Sequence, residues 1–596
     1  MKPRKQQKIA PIQIPRQFIL SIALMASLPY LPAVFHDFTF DDASIIANNP
    51  AVQEWGRWTQ IFVSEYWPGG KTALYRPVTI FSFALERAIH GPGPAGFHLV
   101  NILLHVGTAL LVLYVSAQIF GVGWAAGIAA GLFAVHPIHT EAVGGVVGRS
   151  ELLSALLALS ALWLWIRRAR GETHWKASYG AILGLYSLSL LSKENVIILP
   201  GLIFLWEIAR PIEPSVKART LAILQNRHFW GLLAVSVLFL LMRAGVSGGF
   251  KESFQSNPPF VENPLATMEP AKRILSALAH QTHGVLLQLW PRPLIADYSH
   301  NTLPTNPGWI YPRAGLFVLF SLGTLALWCV QGPIVRNLAF AFSWYLTAVL
   351  PASNLLLPIG TIFAERLLYF PSIGLCLAAA AIWDSLARKR IPGSKVPATR
   401  TGRWTLGIVA LAILVLMVSA GVRNLAWQND LKLFTDTVAK APLNVKAHLW
   451  LGDALVRARN PEDAISHYRR ASEILPTYGP AAANLMVPLQ MLGRYSEAIE
   501  AGENALGLFP ENNTALLYNL AMVYQAAGNP ERFVDYALRV INLDPRNSRM
   551  HFQLGKYYMQ QTSDPESARR HLELALEAEP DMREAPLIRS MLLQLK

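Results

Sequence analysis

LNVKAHLWLGDALVRARNPEDAISHYRRASEILP, residues 443–476, lies between two prolines and sets the pattern of the last quarter of the chain. Prolines recur at Pro442, Pro476, Pro510, Pro545 and Pro580, spaced by 34, 34, 35 and 35 residues. Between them Leu451-Gly452, Leu485, Leu520-Ala521 and Leu554-Gly555 fall in phase, as do Ala464, Ala498, Phe533 and Ala568. Small residues belong where two paired helices approach closely, and proline ends each unit because it cannot continue a helix. Tyr468, Tyr495 and Tyr524 add aromatic packing positions. A period of this length predicts helix pairs stacked into an α-solenoid, with a concave surface that suits an extended polypeptide.

The pattern resembles the tetratricopeptide repeat, with about four repeats over 430–590. The reading is strong for fold and weak for ligand, since a passive spacer or dimerisation arm would carry the same pattern.

Upstream the composition changes. Mean hydropathy is +0.30, and only 15% of the 596 residues are charged, against roughly 25% in soluble domains. The formal charge of +14 is uneven: Asn424 onward carries 18 Lys+Arg against 20 Asp+Glu, which leaves 34 against 18 before it. The excess lies in short loops between apolar runs, which is the positive-inside pattern of a membrane protein and not a nucleic-acid signature. The 17 Trp agree with a lipid–water interface. Two Cys exclude a disulfide framework or a Cys metal site.

Apolar runs near 18–36, 97–119, 123–141, 150–166, 177–192, 195–209, 229–246, 314–330, 337–357, 367–386 and 404–422 predict eleven crossings within a membrane domain at 18–423. Residues 1–17, with Lys2, Arg4, Lys5 and Lys8, read as a cytoplasmic start to an uncleaved anchor. The other basic loops are Arg167 to Lys176, Arg210 to His228 and Arg388 to Arg403. All three fall inside if 271–291, which holds Lys272, Arg273, His280, Gln281, His283 and Gln288, lies in the interface or re-enters. A twelfth crossing there would strand Arg388–Arg403 outside. An odd total places the repeats outside, together with the loops 37–96 and 247–313.

Everything polar and costly then falls on that outer face. Asp41-Asp42 follows the first crossing, and adjacent carboxylates there suit a general base or a metal ligand, or simply cap a short helix at Ala43. Arg76 opens an amphipathic stretch, Val78 to Ile89, suited to the membrane surface. His136, His139 and Glu141 end the third crossing as a weak metal motif, as hydrogen-bonding groups for a phosphate or sugar, or as a structural polar knot. Arg149-Ser150-Glu151, Lys193-Glu194 and Glu365-Arg366 pair charges that neutralise themselves or offer cations to a phosphate leaving group. No P-loop, dinucleotide fingerprint or nucleophile elbow occurs, and an energised donor outside the cytoplasm is most naturally lipid-linked.

The stretches FDDASIIANNPAV (40–52), YRPVTIFSFAL (75–85), GFHLVNILLHV (96–106), FAVHPIHTEAVGGVVGRSELL (133–153), SKEN (192–195) and AERLLYFPSIG (364–374) are specific. With the trailing repeats they resemble, over nearly the whole chain, the transmembrane-and-TPR-containing O-mannosyltransferase family in a bacterial form. The resemblance implies an all-α fold: a polytopic membrane domain like that of the GT-C glycosyltransferases, followed by the repeat solenoid. It implies an inverting transferase that takes mannose or a similar hexose from a polyprenyl-phosphate donor in the lipid bilayer. Asp41 or Asp42 would activate an acceptor Ser/Thr hydroxyl. Arg76, His136, His139, Glu141, Arg149, Lys193 and Arg366 would line the donor site. No cofactor is certain, though the Asp pair permits a divalent metal. The repeats would bind the acceptor polypeptide on the periplasmic side of an inner membrane. Two alternatives stand beside this reading: transfer to a glycolipid or envelope polymer, and a non-enzymatic membrane-anchored scaffold.

Overall fold

The computed structural model describes residues 12–69, 72–172, 175–210, 216–254, 258–387, 400–509, 513–562 and 564–595. The basic N-terminal residues, most of the Arg388–Arg403 loop and Pro510 lie outside these. All regular structure among the described residues is helical. Two compact units divide the chain, Met1–Ala441 and Pro442–Lys596.

Among the described residues of the first unit six helices are long and apolar enough to cross a membrane: Pro94–Phe120, Val146–Ala169, Arg227–Val246, Pro307–Cys329, Pro333–Ala352 and Gly402–Ala426. The other five apolar runs form shorter helices, and prolines account for most of the shortening. The first run is divided into Arg16–Ser27 and a 3-10 turn, Leu31–Phe35, on either side of Pro29. Pro137 stops Trp124–Val135, and Pro371 precedes Ser372–Ala387. A 3-10 turn, Glu194–Ile198, precedes Leu199–Ala209. Proline lacks the N–H that would continue the ladder, so each break frees backbone groups that need partners. Helix Gly402–Ala426 has a mean hydropathy of 2.6 with only 6% of its apolar window buried. So much exposed apolar surface is tolerable only against lipid.

Residues 271–291 fall on one 20-residue helix, Pro270–Leu289, which is not among the apolar spans. Its amphipathicity is inverted: His280, Gln281 and Gln288 are buried against the protein, while Ile274, Leu286 and Leu289 are exposed.

The second unit is a series of helix pairs: Val445–Arg457 with Pro461–Ile474, Thr514–Ala526 with Pro530–Leu543, and Ser548–Tyr557 with Pro565–Ala578. In the remaining pair the first helix is divided into Gly479–Asn484 and Met486–Met491, followed by Tyr495–Leu506. Asn444, Asn513 and Asn547 cap first helices by accepting a backbone N–H. Asn460 and Asn529, each followed by proline, do the same for second helices. At Gly452 a Cβ would come within 2.5 Å of the Tyr468 ring, so the close approach expected from the repeat pattern requires glycine there.

Candidate functional site

The two adjacent aspartates have different surroundings. Asp42 is 1% exposed. Its Oδ1 accepts from the Val147 N–H at 2.7 Å, and its Oδ2 from Thr39 N–H at 3.0 Å and Val146 N–H at 3.3 Å. It ties the segment after the first helix to the 3-10 turn Val146–Gly148, which leads into Arg149–Ala169. Burial pushes its carboxyl up to about 7, against the pull of those three N–H donors. Asp41 is half-buried, and its charge acts on Arg366 and on Tyr66.

The charges that are neighbours in sequence form their ion pairs with other partners. Residues one apart on a helical turn point in different directions, so each finds its partner on another element. Arg76, at the N-cap of Pro77–His90, grips Glu194 with two parallel bonds, Nε to Oε2 at 2.9 Å and Nη2 to Oε1 at 2.6 Å. Its guanidinium lies 4.9 Å from the Tyr66 ring centroid. Burial alone would raise the Glu194 carboxyl, but Arg76 and then Lys193 hold it well below the usual range. Lys193 pairs with Glu151, and both are almost fully buried. Arg366 donates to Glu141 through its guanidinium and through its backbone N–H at 2.8 Å. Burial works against the Arg366 cation, and the Glu141 and Asp41 carboxylates overcome it. Its side chain is 28% exposed, the most accessible of the three cations in these pairs.

Glu365 turns away from Arg366. Its Oε1 accepts from Ile295 N–H at 2.6 Å and Tyr298 O–H at 2.8 Å, and its buried Oε2 has no hydrogen-bond partner among the described residues. Burial raises its carboxyl to about 8, with Arg423 opposing. The folded value thus lies above the ordinary 4.5, so its contribution to stability is complete below that pH and is lost as pH rises through about 8. An infrared difference spectrum between the wild type and Glu365→Gln at pH 6 should contain a protonated-carboxyl stretch that disappears above about pH 8. A carboxylate signal at pH 6 would contradict this assignment.

Arg149, His136 and His139 are more enclosed than a donor-lining role implies. Arg149 is fully buried, and each of its nitrogens has an acceptor: Glu86, Asn101 Oδ1 at 2.8 Å and the Phe97 carbonyl at 2.7 Å. His136 Nδ1 accepts the Ile138 N–H, which leaves its Nε2–H to donate to the Gln288 carbonyl at 2.8 Å. Both nitrogens are engaged, in keeping with the polar-knot reading of His136-x-x-His139 and not with a metal pair. His139 Nε2 meets Ser372 Oγ at 2.9 Å inside a cluster with Phe133, His105 and Tyr369. Among the described residues no three His, Cys, Asp or Glu side chains gather as a metal-ligand set.

One polar cluster therefore collects Asp41, Tyr66, Arg76, Glu141, Glu151, Lys193, Glu194 and Arg366. Arg243 joins it through Glu194 and Arg76. Tyr66, Arg243 and Glu86 were not singled out in the sequence. Glu86 had a signal, an acid inside the amphipathic stretch that opens at Arg76, whereas Tyr66 had none.

Models of the tetratricopeptide repeat match residues 431–478 and 489–554. The chain is 27% identical over 588 residues to protein O-mannosyl-transferase Tmtc3 of Drosophila melanogaster, a match covering 87% of this chain and 62% of the relative. It is 28% identical over 478 residues to protein O-mannosyl-transferase F38B6.6 of Caenorhabditis elegans, covering 77% and 63%. With protein O-mannosyl-transferase TMTC3 of Homo sapiens it shares 28% over 512 residues, covering 81% and 54%. The chain thus spans somewhat less than two thirds of the length of these relatives.

Proposed function

Since this chain is homologous over most of its length to the protein O-mannosyl-transferases, we propose that it moves mannose or a similar hexose from a polyprenyl-phosphate donor to Ser/Thr hydroxyls of exported proteins. The observation that carries the reading is Asp41, a half-buried carboxylate beside the accessible Arg366 cation, in a chain whose described residues include six membrane-length apolar helices.

In this reading Asp41 is the base and Asp42 is the brace that holds it. Asp41 takes the proton of the acceptor hydroxyl as its oxygen attacks the anomeric carbon. The bond from that carbon to the phosphate oxygen breaks, the configuration inverts, and the lipid phosphate leaves with the electron pair. Arg366 and Arg76 offset the charge that develops there. Glu141 holds Arg366 and Glu194 holds Arg76, the Lys193–Glu151 pair adds a further buried cation to the donor site, and Arg149, His136 and His139 form the wall behind them. The repeat array binds the acceptor polypeptide on its concave face, outside the inner membrane. The N-terminus is cytoplasmic, and eleven crossings put the repeats on the same side as Asp41. A divalent metal fits poorly on Asp42, whose oxygens are already taken by backbone N–H groups.

Glycoproteomics of a strain lacking the gene against its parent tests this. Loss of O-linked hexose from exported proteins is expected, with restoration by the wild-type chain. An unchanged protein profile with an altered glycolipid would overturn the acceptor assignment.

A further inference from the structure

Phe40 is the residue immediately before the Asp41-Asp42 pair, and its φ is +56°. A bulky side chain rarely adopts this left-handed backbone without outside restraint. The restraint comes from helix Asp430–Lys440. The Phe40 N–H donates to Asp430 Oδ1 at 2.8 Å, and the Phe40 ring sits edge-on to Phe434 with centroids 5.8 Å apart. Asp430 and Phe434 are four residues apart and share one face of that helix. Just upstream of Phe40, the Asp37 N–H donates to the Gln428 carbonyl at 3.0 Å.

The same helix also meets the segment that braces Glu365. Thr437 Oγ1 accepts from Ala296 N–H at 3.4 Å, and Lys440 Nζ donates to the Leu294 carbonyl at 3.0 Å. Ile295, between them, donates to Glu365, the residue before Arg366. Arg423 anchors the helix from behind through Asp436 at 2.5 Å. One helix therefore touches both the strained turn that carries Asp41 and the brace beside Arg366. Although the repeat match begins at residue 431, this helix belongs to the first compact unit.

We propose that Asp430 and Phe434 are positioning residues, which hold Phe40 in its left-handed conformation and so fix Asp41 against Arg366. The inference rests on the reading of Asp41 as the base. Its restraint of the backbone is separable from that reading, and the two are tested by separate measurements.

The full chain in lipid nanodiscs is compared as wild type, Asp430→Ala and Asp430→Asn. Hydrogen exchange of the peptide spanning 36–44 reads the restraint, and peptide mannosylation from polyprenyl-phosphate mannose reads its consequence. Asp430→Ala should speed exchange of that peptide at least tenfold and lower kcat at least tenfold, with KM for the acceptor peptide unchanged. Asp430→Asn keeps an acceptor oxygen and should restore both. Unchanged exchange in Asp430→Ala would overturn the restraint. Faster exchange with unchanged kcat would overturn the positioning role. If the wild type transfers no sugar, the reading of Asp41 fails, and the exchange result still decides whether Asp430 restrains Phe40.

Discussion

Asp41→Asn should reduce sugar transfer by about 10²–10⁴-fold, the usual contribution of a positioned general base, while the protein inserts and folds as the wild type does. Asp42 holds distant segments together through three backbone N–H groups, whereas the half-buried Asp41 carboxylate acts on the Arg366 cation. Asparagine matches its shape and removes only the basic oxygen. Asp42→Asn is the control with the opposite profile. An amide there turns one acceptor into a donor facing a backbone N–H, which costs about 1–3 kcal/mol. Thermal unfolding in detergent separates the two: Asp41→Asn inactive at wild-type stability, Asp42→Asn destabilised. If both variants lose the same activity and the same stability, the division of labour between the aspartates is wrong.

The second large effect is on folding. Lys193→Met should destabilise the membrane unit by about 3–5 kcal/mol, because it removes the ion-pair partner of the buried Glu151 carboxylate. The side chains of Lys193 and Glu151 are 3% and 4% exposed, so water cannot take over solvating the carboxylate. Removing both charges together, as Lys193→Met with Glu151→Leu, should recover most of the loss, since a buried pair often contributes little over an apolar replacement. The double-mutant cycle decides this: losses that simply add would mean the two groups do not depend on each other.

These effects follow from pairings that local sequence does not encode. The repeats were legible because proline and small residues recur at a fixed period, and Gly452 against Tyr468 is the close approach that the period requires. Apolar runs located six helices of membrane length among the described residues, but not how proline shortens Arg16–Ser27, Trp124–Val135 and Ser372–Ala387. The charges of the polar cluster were legible as a group, since isolated charges at membrane depth are costly. Their partners were not. Lys193-Glu194 and Glu365-Arg366 read either as self-neutralising pairs or as cations offered to a phosphate, and neither reading names the partners: Glu194 takes Arg76 from 118 residues away and Arg366 takes Glu141 from 225 residues away. Nor does sequence separate Asp41 from Asp42. The difference lies in the backbone N–H groups of Val146 and Val147, over a hundred residues later. The same holds for Asp430, which lies 390 residues from Phe40.

The most direct measurement reconstitutes the purified full chain in liposomes with polyprenyl-phosphate mannose and a Ser/Thr-containing peptide, and reads the product by mass spectrometry. The account predicts hexose O-linked to the peptide with the wild type and at least about a hundredfold less with Asp41→Asn. Equal transfer by both proteins, or hexose found only on lipid, would contradict it.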